Sequence, residues 1–347
     1  MKTPYSSFCL NKNGIARGCK FCVKGEKLVI FISGRCSRNC WYCSLSKKRK
    51  SIDKIWANER EIKNTKELIE EAKESRATSA GITGGDPLLF LSRTIKYAGA
   101  LKSKFGKKFH IHIYLPTKLV TKEKLRKLSK YIDEVRFHPE FLINASKEKI
   151  KEDIEKIRLA SLYWNKQNIG IELPLIPEKK KQILEFVLKV KDFIGFVNLN
   201  EFELSETNFE IVTKKYKLKE GGYVIAKSKE AGLWILKQLK RKKVKLNVHL
   251  CTAELKNCFQ YKNRLLRHKI LLYQKRTKEG TVVCFVVKDK NYISKLKNKK
   301  GVCYDKVKNR LILSEGVANE LLNKVKIYRI EEYPTFDREE VEVEEIC

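Results

Sequence analysis

Cys36, Cys40 and Cys43, in the run Arg35-Cys36-Ser37-Arg38-Asn39-Cys40-Trp41-Tyr42-Cys43, form a C-x3-C-x2-C spacing directly after an apolar run, Leu28 to Ile32. A loop of that length can wrap a cubane iron–sulfur cluster, yet it offers three thiolates to four irons. A structural site closes its coordination shell, whereas a site that must bind a substrate or cofactor leaves one position open. The spacing therefore points to a reactive iron corner. A zinc ion held by the same thiolates and one distant ligand is the bland alternative.

A second group of thiols is present. Cys19-Lys20-Phe21-Cys22 is a C-x2-C knuckle preceded by Cys9, and His249, Cys251 and Cys258 lie far along the chain. Such a pair rarely arises for packing alone, so Cys19, Cys22 and Cys251 are expected to hold a second metal centre, an auxiliary iron–sulfur cluster or a structural zinc. Cys9, His249 and Cys258 compete for its fourth ligand. The alternative is a set of unligated thiols buried as small apolar residues, to which Cys284 and Cys303 are assigned. His110 and His112 share one face of a strand and suit a metal only if further ligands converge; otherwise they line the interior.

These residues need a frame. From about 28 to 250, short β-rich apolar runs alternate with longer charged helical stretches, the pattern of repeated βα units around a parallel sheet. The strands fall at 28–32, 79–83, 109–115, 134–138, 170–175, 195–199 and 244–250. Asn64 with Glu67 reads as a capping box opening a helix through about Glu74. Further helices fit 90–105, 121–131, 146–165, 179–193 and 228–241. The fold class is thus α/β, a partial or complete (βα) barrel of six to seven units. It is preceded by a cysteine-containing extension (1–27) and followed by a small α+β module (251–347) whose last segment is acidic and read as a solvated tail. In such barrels the loops at the C-terminal strand ends converge on one mouth. The cysteine loop lies there, and so does Thr83-Gly84-Gly85-Asp86-Pro87, whose glycines let backbone approach a ligand closely.

With aromatic Tyr42 before its third cysteine, the loop resembles that of the radical S-adenosylmethionine (radical SAM) superfamily, defined by C-x3-C-x-φ-C with φ aromatic. Gly84, Gly85 and Asp86 resemble the family's glycine-glycine-glutamate element that holds the methionine amino group, with Asp86 in the place of glutamate. The resemblance implies a 4Fe–4S cluster on Cys36, Cys40 and Cys43. Its open iron is chelated by the amino and carboxylate groups of S-adenosylmethionine, and Tyr42 stands beside the adenine. It further implies a one-electron reductant such as a ferredoxin or flavodoxin, and reductive cleavage to methionine and a 5′-deoxyadenosyl radical. Thr117, Arg136 and Glu172 at further strand ends are the remaining cofactor-binding candidates, with His138, Asn200 and Glu201 near them. The stretch from Cys19 through Gly34 to Pro87, with Ala57-Asn58-Glu59-Arg60 between, is similar to a group related to pyruvate formate-lyase activating enzymes.

Composition bears on partners. The net charge of +34, from 75 Lys+Arg against 41 Asp+Glu, attracts polyanions at low salt. The basic run Lys47-Lys48-Arg49-Lys50 adjoins the cysteine loop, so RNA is the first expectation for substrate. A protein-radical activase or peptide modifier acting on a protein partner is the enzymatic rival; a zinc-dependent nucleic-acid-binding protein is the non-enzymatic one. No apolar run is long enough to cross a bilayer and the start lacks a signal-peptide stretch, so the expectation is a cytoplasmic protein with no membrane partner, its 11 cysteines reduced and its cluster oxygen-sensitive.

Overall fold

The computed structural model of the chain describes residues 8–10 and 14–346. Its larger sheet has nine strands: β1 (Lys27–Phe31), β2 (Ile55–Ala57), β3 (Arg60–Ile62), β4 (Ser79–Thr83), β5 (His110–Pro116), β6 (Glu134–His138), β7 (Ile169–Leu175), β8 (Phe196–Glu201) and β9 (Asn247–Cys251). They run in the order β3-β2-β1-β4-β5-β6-β7-β8-β9. The seven strands read from the sequence all form, each parallel to its neighbours. The β2–β3 hairpin was not foreseen, because its strands are too short to show alternation; it adds antiparallel to β1. β9 ends the sheet without pairing with β1, which makes the barrel partial.

Helices α2 (Thr65–Glu74), α3 (Leu91–Phe105), α4 (Lys122–Leu128), α5 (Lys147–Leu159), α6 (Lys180–Val190), α7 (Phe209–Lys215) and α8 (Ser228–Arg241) alternate with the strands, after α1 (Arg17–Val23) ahead of them. The Asn64 cap is as expected: its side chain accepts from the Glu67 amide, while Glu67 reaches back to the amide of Lys63 rather than that of Asn64. Strand side chains alternate between faces. One set, including Ile30, Ile82, Ile113, Phe137, Leu173, Leu199 and Leu250, packs beneath the helices in a continuous core. The other set is polar yet buried: His110, His112, Glu134, Arg136, Glu172, Asn198 and His249.

α1 lies on that polar inner face. The Gly18 amide donates to Glu134 Oε2 at 3.0 Å, and a Cβ at Gly18 would stand 2.5 Å from His112 Nδ1. Only glycine lets the helix approach so closely. Phe21 stacks on His110 at 5.4 Å. The stretch read as an extension thus supplies an interior helix with both knuckle cysteines.

The C-terminal sheet contains β10 (Lys275–Arg276), β11 (Val282–Val287), β12 (Val302–Asp305), β13 (Arg310–Leu313), β14 (Tyr328–Glu332) and β15 (Glu340–Glu345), in the order β12-β13-β11-β14-β15 with β10 on β11. Val287, Ile293, Leu311, Leu313, Val317 and Leu321 form its small core. The acidic segment is no free tail. It pairs as β15 on β14 with every side chain exposed, and Arg329 reaches Glu342 and Glu344 at 3.5 and 3.8 Å. Alternating Glu and Val let the strand form, and opposite charge across it offsets the density of carboxylates.

Candidate active site

A cavity of about 580 Å³ opens at the C-terminal ends of the parallel strands. Cys36, Cys40, Cys43 and Tyr42 line it together with Gly84 and Gly85, so the two sequence motifs meet on one surface. Tyr114, His138, Pro174 and Asn200, from the ends of β5 to β8, form the facing wall.

The glycines matter first to the cysteine loop itself. A Cβ on Gly85 would stand 2.1 Å from the Arg35 carbonyl oxygen and 2.9 Å from the Cys36 amide nitrogen. Gly84 has φ +140° and lies against Ser33, whose carbonyl accepts from the Gly85 amide at 2.7 Å. The β4 turn is therefore the seat on which the loop rests. Asp86 belongs to the same seat: it is buried, accepts from Ser37 Oγ at 2.5 Å and from the Leu88 amide at 2.9 Å, and donates its own amide to the Arg35 carbonyl. Its carboxylate faces the loop and is not part of the cavity wall.

The other side of the loop is held by residues that carried no motif. Ser205 and Thr207 donate hydroxyls to the Cys43 carbonyl at 3.2 and 3.0 Å, and Thr207 also lies 2.6 Å from that of Leu45. Trp41 stacks parallel to Tyr216 at 6.3 Å. Glu203 and Lys256, paired at 2.7 Å, complete the cavity wall. Lys256 opens a π-helical turn, Lys256–Tyr261, a local distortion common at functional sites. Nothing in the sequence marks that turn, which is why Glu203 and Lys256 carried no expectation.

Burial holds the Cys36 and Cys40 thiols above their ordinary range, so a positive centre bound to them has to draw off the protons. At Cys40 the Arg38 guanidinium and the Tyr42 hydroxyl offset part of that rise. Arg38 is fixed over the wall by a 2.8 Å bond to the His138 carbonyl. Burial lowers His138 to about 4, leaving its imidazole neutral near pH 7.

Arg136 and Glu172 lie one layer beneath the cavity. Arg136 donates to Glu134 Oε1 at 2.7 and 2.6 Å, to Glu172 Oε2 at 3.0 Å and to the Tyr114 hydroxyl at 3.3 Å. Glu172 also accepts from Asn198 and Asn200. Burial works to raise both carboxyls, yet Arg136 together with His110 and the Gly18 amide at Glu134, and with His138, Asn198 and Asn200 at Glu172, outweighs it and holds both at about 2. Both residues reach the cavity through Tyr114 and Asn200, which do line it. Thr117 is buried away from it, its hydroxyl on Asp153 Oδ1 at 2.5 Å. Glu201 lines the wall, bonded to Lys219 and the Ala253 amide. His110 and His112 do meet a third ligand type, Glu134, all within 4.8 Å. The Arg136 guanidinium on that same carboxylate opposes a cation there.

The basic run beside the loop is divided in its roles. Lys47 and Lys48 are exposed and Lys50 lines the cavity. Arg49 points inward, over the rings of Phe31 and Trp56 at 5.4 and 5.2 Å, with a 3.0 Å bond to the Asn58 carbonyl.

The donor set suits a cluster rather than one ion. Thiolates on a single zinc stand about 3.8 Å apart, from a Zn–S bond of about 2.3 Å. The groups of three metal-ligating atoms that converge within 4.8 Å among the described residues are His110–His112–Glu134 and Glu71–Glu74–His268. The three loop thiols share one cavity and do not converge that tightly, which leaves room between them for a group larger than one ion.

Residues 30–190 match the model of the radical SAM superfamily. A putative glycyl-radical enzyme activating enzyme of Methanocaldococcus jannaschii is 33% identical over 354 residues, covering 96% of this chain and 93% of that protein. Among solved structures, coproporphyrinogen III oxidase of Escherichia coli, a radical SAM enzyme, is 11% identical with a TM-score of 0.40, over 65% of this chain and 56% of that one. A radical SAM methyltransferase of Kitasatospora setae, solved with cobalamin and a [4Fe-4S] cluster, is 10% identical with a TM-score of 0.38, over 68% and 51%. The chain thus spans about half the length of these two structures. No helix among the described residues is long and apolar enough to cross a membrane.

Proposed function

The chain belongs to the radical SAM superfamily, and from that premise we propose that it is an activating enzyme that takes a hydrogen atom from a polypeptide, as in generating a glycyl radical on a protein partner. A reduced 4Fe–4S cluster with S-adenosylmethionine supplies the 5′-deoxyadenosyl radical that such a step requires. The chain's own residues do the positioning. Cys36, Cys40 and Cys43 would hold the cluster, Gly84 and Gly85 would leave the strand-end backbone open to the methionine amino group, and Tyr42 would offer a ring to the adenine. His138, neutral and half-buried, and Tyr114 form the opposite wall.

The observation that carries the choice of polypeptide is the relative named as an activating enzyme, which matches over nearly the whole of both chains. The RNA reading rests on net charge and on the basic run at 47–50. Arg49 is spent on Phe31 and Trp56, which removes one cation from any phosphate-contacting edge.

The test uses anaerobically reconstituted, dithionite-reduced protein, with 5′-deoxyadenosine as the readout. Extract from the source cells, desalted and treated with ribonuclease or with protease, is added in parallel. Stimulation that survives ribonuclease and is lost after protease supports the reading, as does a glycyl-radical EPR signal in the stimulated sample. Stimulation abolished by ribonuclease alone and falling steeply with salt assigns the substrate to RNA instead.

A further inference from the structure

We propose that Cys19, Cys22 and Cys251 hold a second iron–sulfur cluster inside the partial barrel, beneath the floor of the cavity, with Cys9 as its fourth ligand. The site joins the first helix to the last strand, and it does not depend on which substrate the cavity takes. α1 presents Cys19 and Cys22 one turn apart on the inner face, and Cys251 ends β9. Cys19 and Cys251 are buried, at 8% and 9% exposure. One amide spans two of the thiols: Gln260 accepts from Cys22 Sγ at 3.0 Å and donates to Cys251 Sγ at 3.4 Å. Asn198 donates to Cys19 Sγ at 3.1 Å. Cys9 packs against Cys19 and bridges to His249 on β9. Cys258 is exposed on the π-helical turn, which removes it from the contest for the fourth position.

Of the three cations beside the thiols, one lacks a carboxylate partner among the described residues. The Lys27 ammonium stands against Cys22, and no carboxylate lies within ion-pair distance of it among the described residues. Lys256 near Cys251 and Arg136 near Cys19 already have carboxylate partners, Glu203 for the first and Glu134 and Glu172 for the second. A half-buried ammonium against a thiol favours an anionic neighbour, and a thiolate-ligated cluster is one. As in the loop, no three thiols converge within 4.8 Å among the described residues, whereas thiolates on a single zinc stand about 3.8 Å apart. That spread is wider than a single zinc holds its thiolates and leaves a cluster as the occupant proposed.

Such a cluster also has mechanical work to do. β9 ends an open sheet, its outer edge met among the described residues by the short Cys9–Leu10 bridge, and a metal bond from α1 to Cys251 ties that edge to the interior.

The decisive protein is the full chain with Cys36→Ala, Cys40→Ala and Cys43→Ala together, which removes the loop thiols and leaves the interior intact. After anaerobic reconstitution with iron and sulfide it should retain about four iron and four sulfide per chain, roughly half the wild-type content, with an EPR signal on reduction. Adding Cys19→Ser and Cys22→Ser should abolish both. A triple variant that binds no iron, in a wild type that holds about four, overturns the proposal; so does one zinc per chain in place of iron. Circular dichroism checks folding of the five-site variant. If it unfolds, wild-type iron content and its two superimposed EPR signals decide. Because the triple variant cannot perform the proposed reaction, its iron content reads the interior site alone.

Discussion

Gly85 shows how a single missing side chain can control a reaction centre. The cysteine loop rests on the β4 turn at a distance that leaves no room for a methyl group, with backbone oxygen 2.1 Å from where Cβ would lie. Backbone cannot swing aside as a side chain does, so Gly85→Ala must displace the loop. Displacements of about 1 Å at a reacting centre cost on the order of 100-fold. The expected result is a roughly ten- to hundredfold loss of 5′-deoxyadenosine formation with lowered iron retention. Gly222→Ala, whose Cβ would meet nothing closer than 3.8 Å, should leave the rate unchanged. Equal activity of the two variants would show that the seat does not position the loop. Asp86 makes the same point: its carboxylate, expected to meet the cofactor, is engaged by Ser37 and Leu88, so its nearest task is to hold the loop.

Strands and their register explain both what the sequence disclosed and what it hid. The seven parallel strands were legible because each is apolar and of ordinary length, and helices such as α2 carried a cap and a helical apolar stripe. The meeting of the cysteine loop with Gly84 and Gly85 was legible too, since both follow strands. The polar inner face was not, because a strand buried on both sides gives no cue to which polar residues are inward. Arg136 and Glu172 were foreseen as cofactor contacts; the register places them together one layer lower. In the wild type, Glu134 and Glu172 are held at about 2, so their contribution to stability is present above pH ~4.5 and lost as pH falls through ~2. Arg136→Met removes the cation and leaves two buried carboxylates, a change that costs ~3–5 kcal/mol near pH 7. Their carboxyls then rise above the ordinary range, so protonation on acidification relieves the variant. Urea unfolding followed by tryptophan fluorescence should show the gap to wild type narrowing between about pH 7 and about pH 5. A gap that stays constant would mean that the carboxylates are not compensated by Arg136.

At the scale of the whole molecule, the large positive charge is spread along the chain and specifies no surface, whereas the junction of the two sheets is built from particular pairs. The β2–β3 hairpin, invisible to periodicity, is the docking point. Glu59 in its turn receives both guanidinium nitrogens of Arg264 at 2.9 and 2.6 Å. Arg60 lies 4.6 Å over Phe336, and Tyr261 meets Tyr333 edge-on at 5.7 Å. The Lys269 amide donates to the Glu74 carbonyl at 2.8 Å. The Arg264 side chain is 13% exposed and that of Glu59 25%, so the pair lies between the surface and buried limits. Glu59→Gln should therefore cost ~1–3 kcal/mol. Because it acts at a joint, the loss should register as looser docking. Trypsin should cut the segment between Arg267 and Lys278 several-fold faster, while the barrel fragment stays folded and keeps its loop-bound iron. Unchanged proteolysis with an unchanged melting temperature would show that the aromatic contacts alone hold the C-terminal sheet to the barrel.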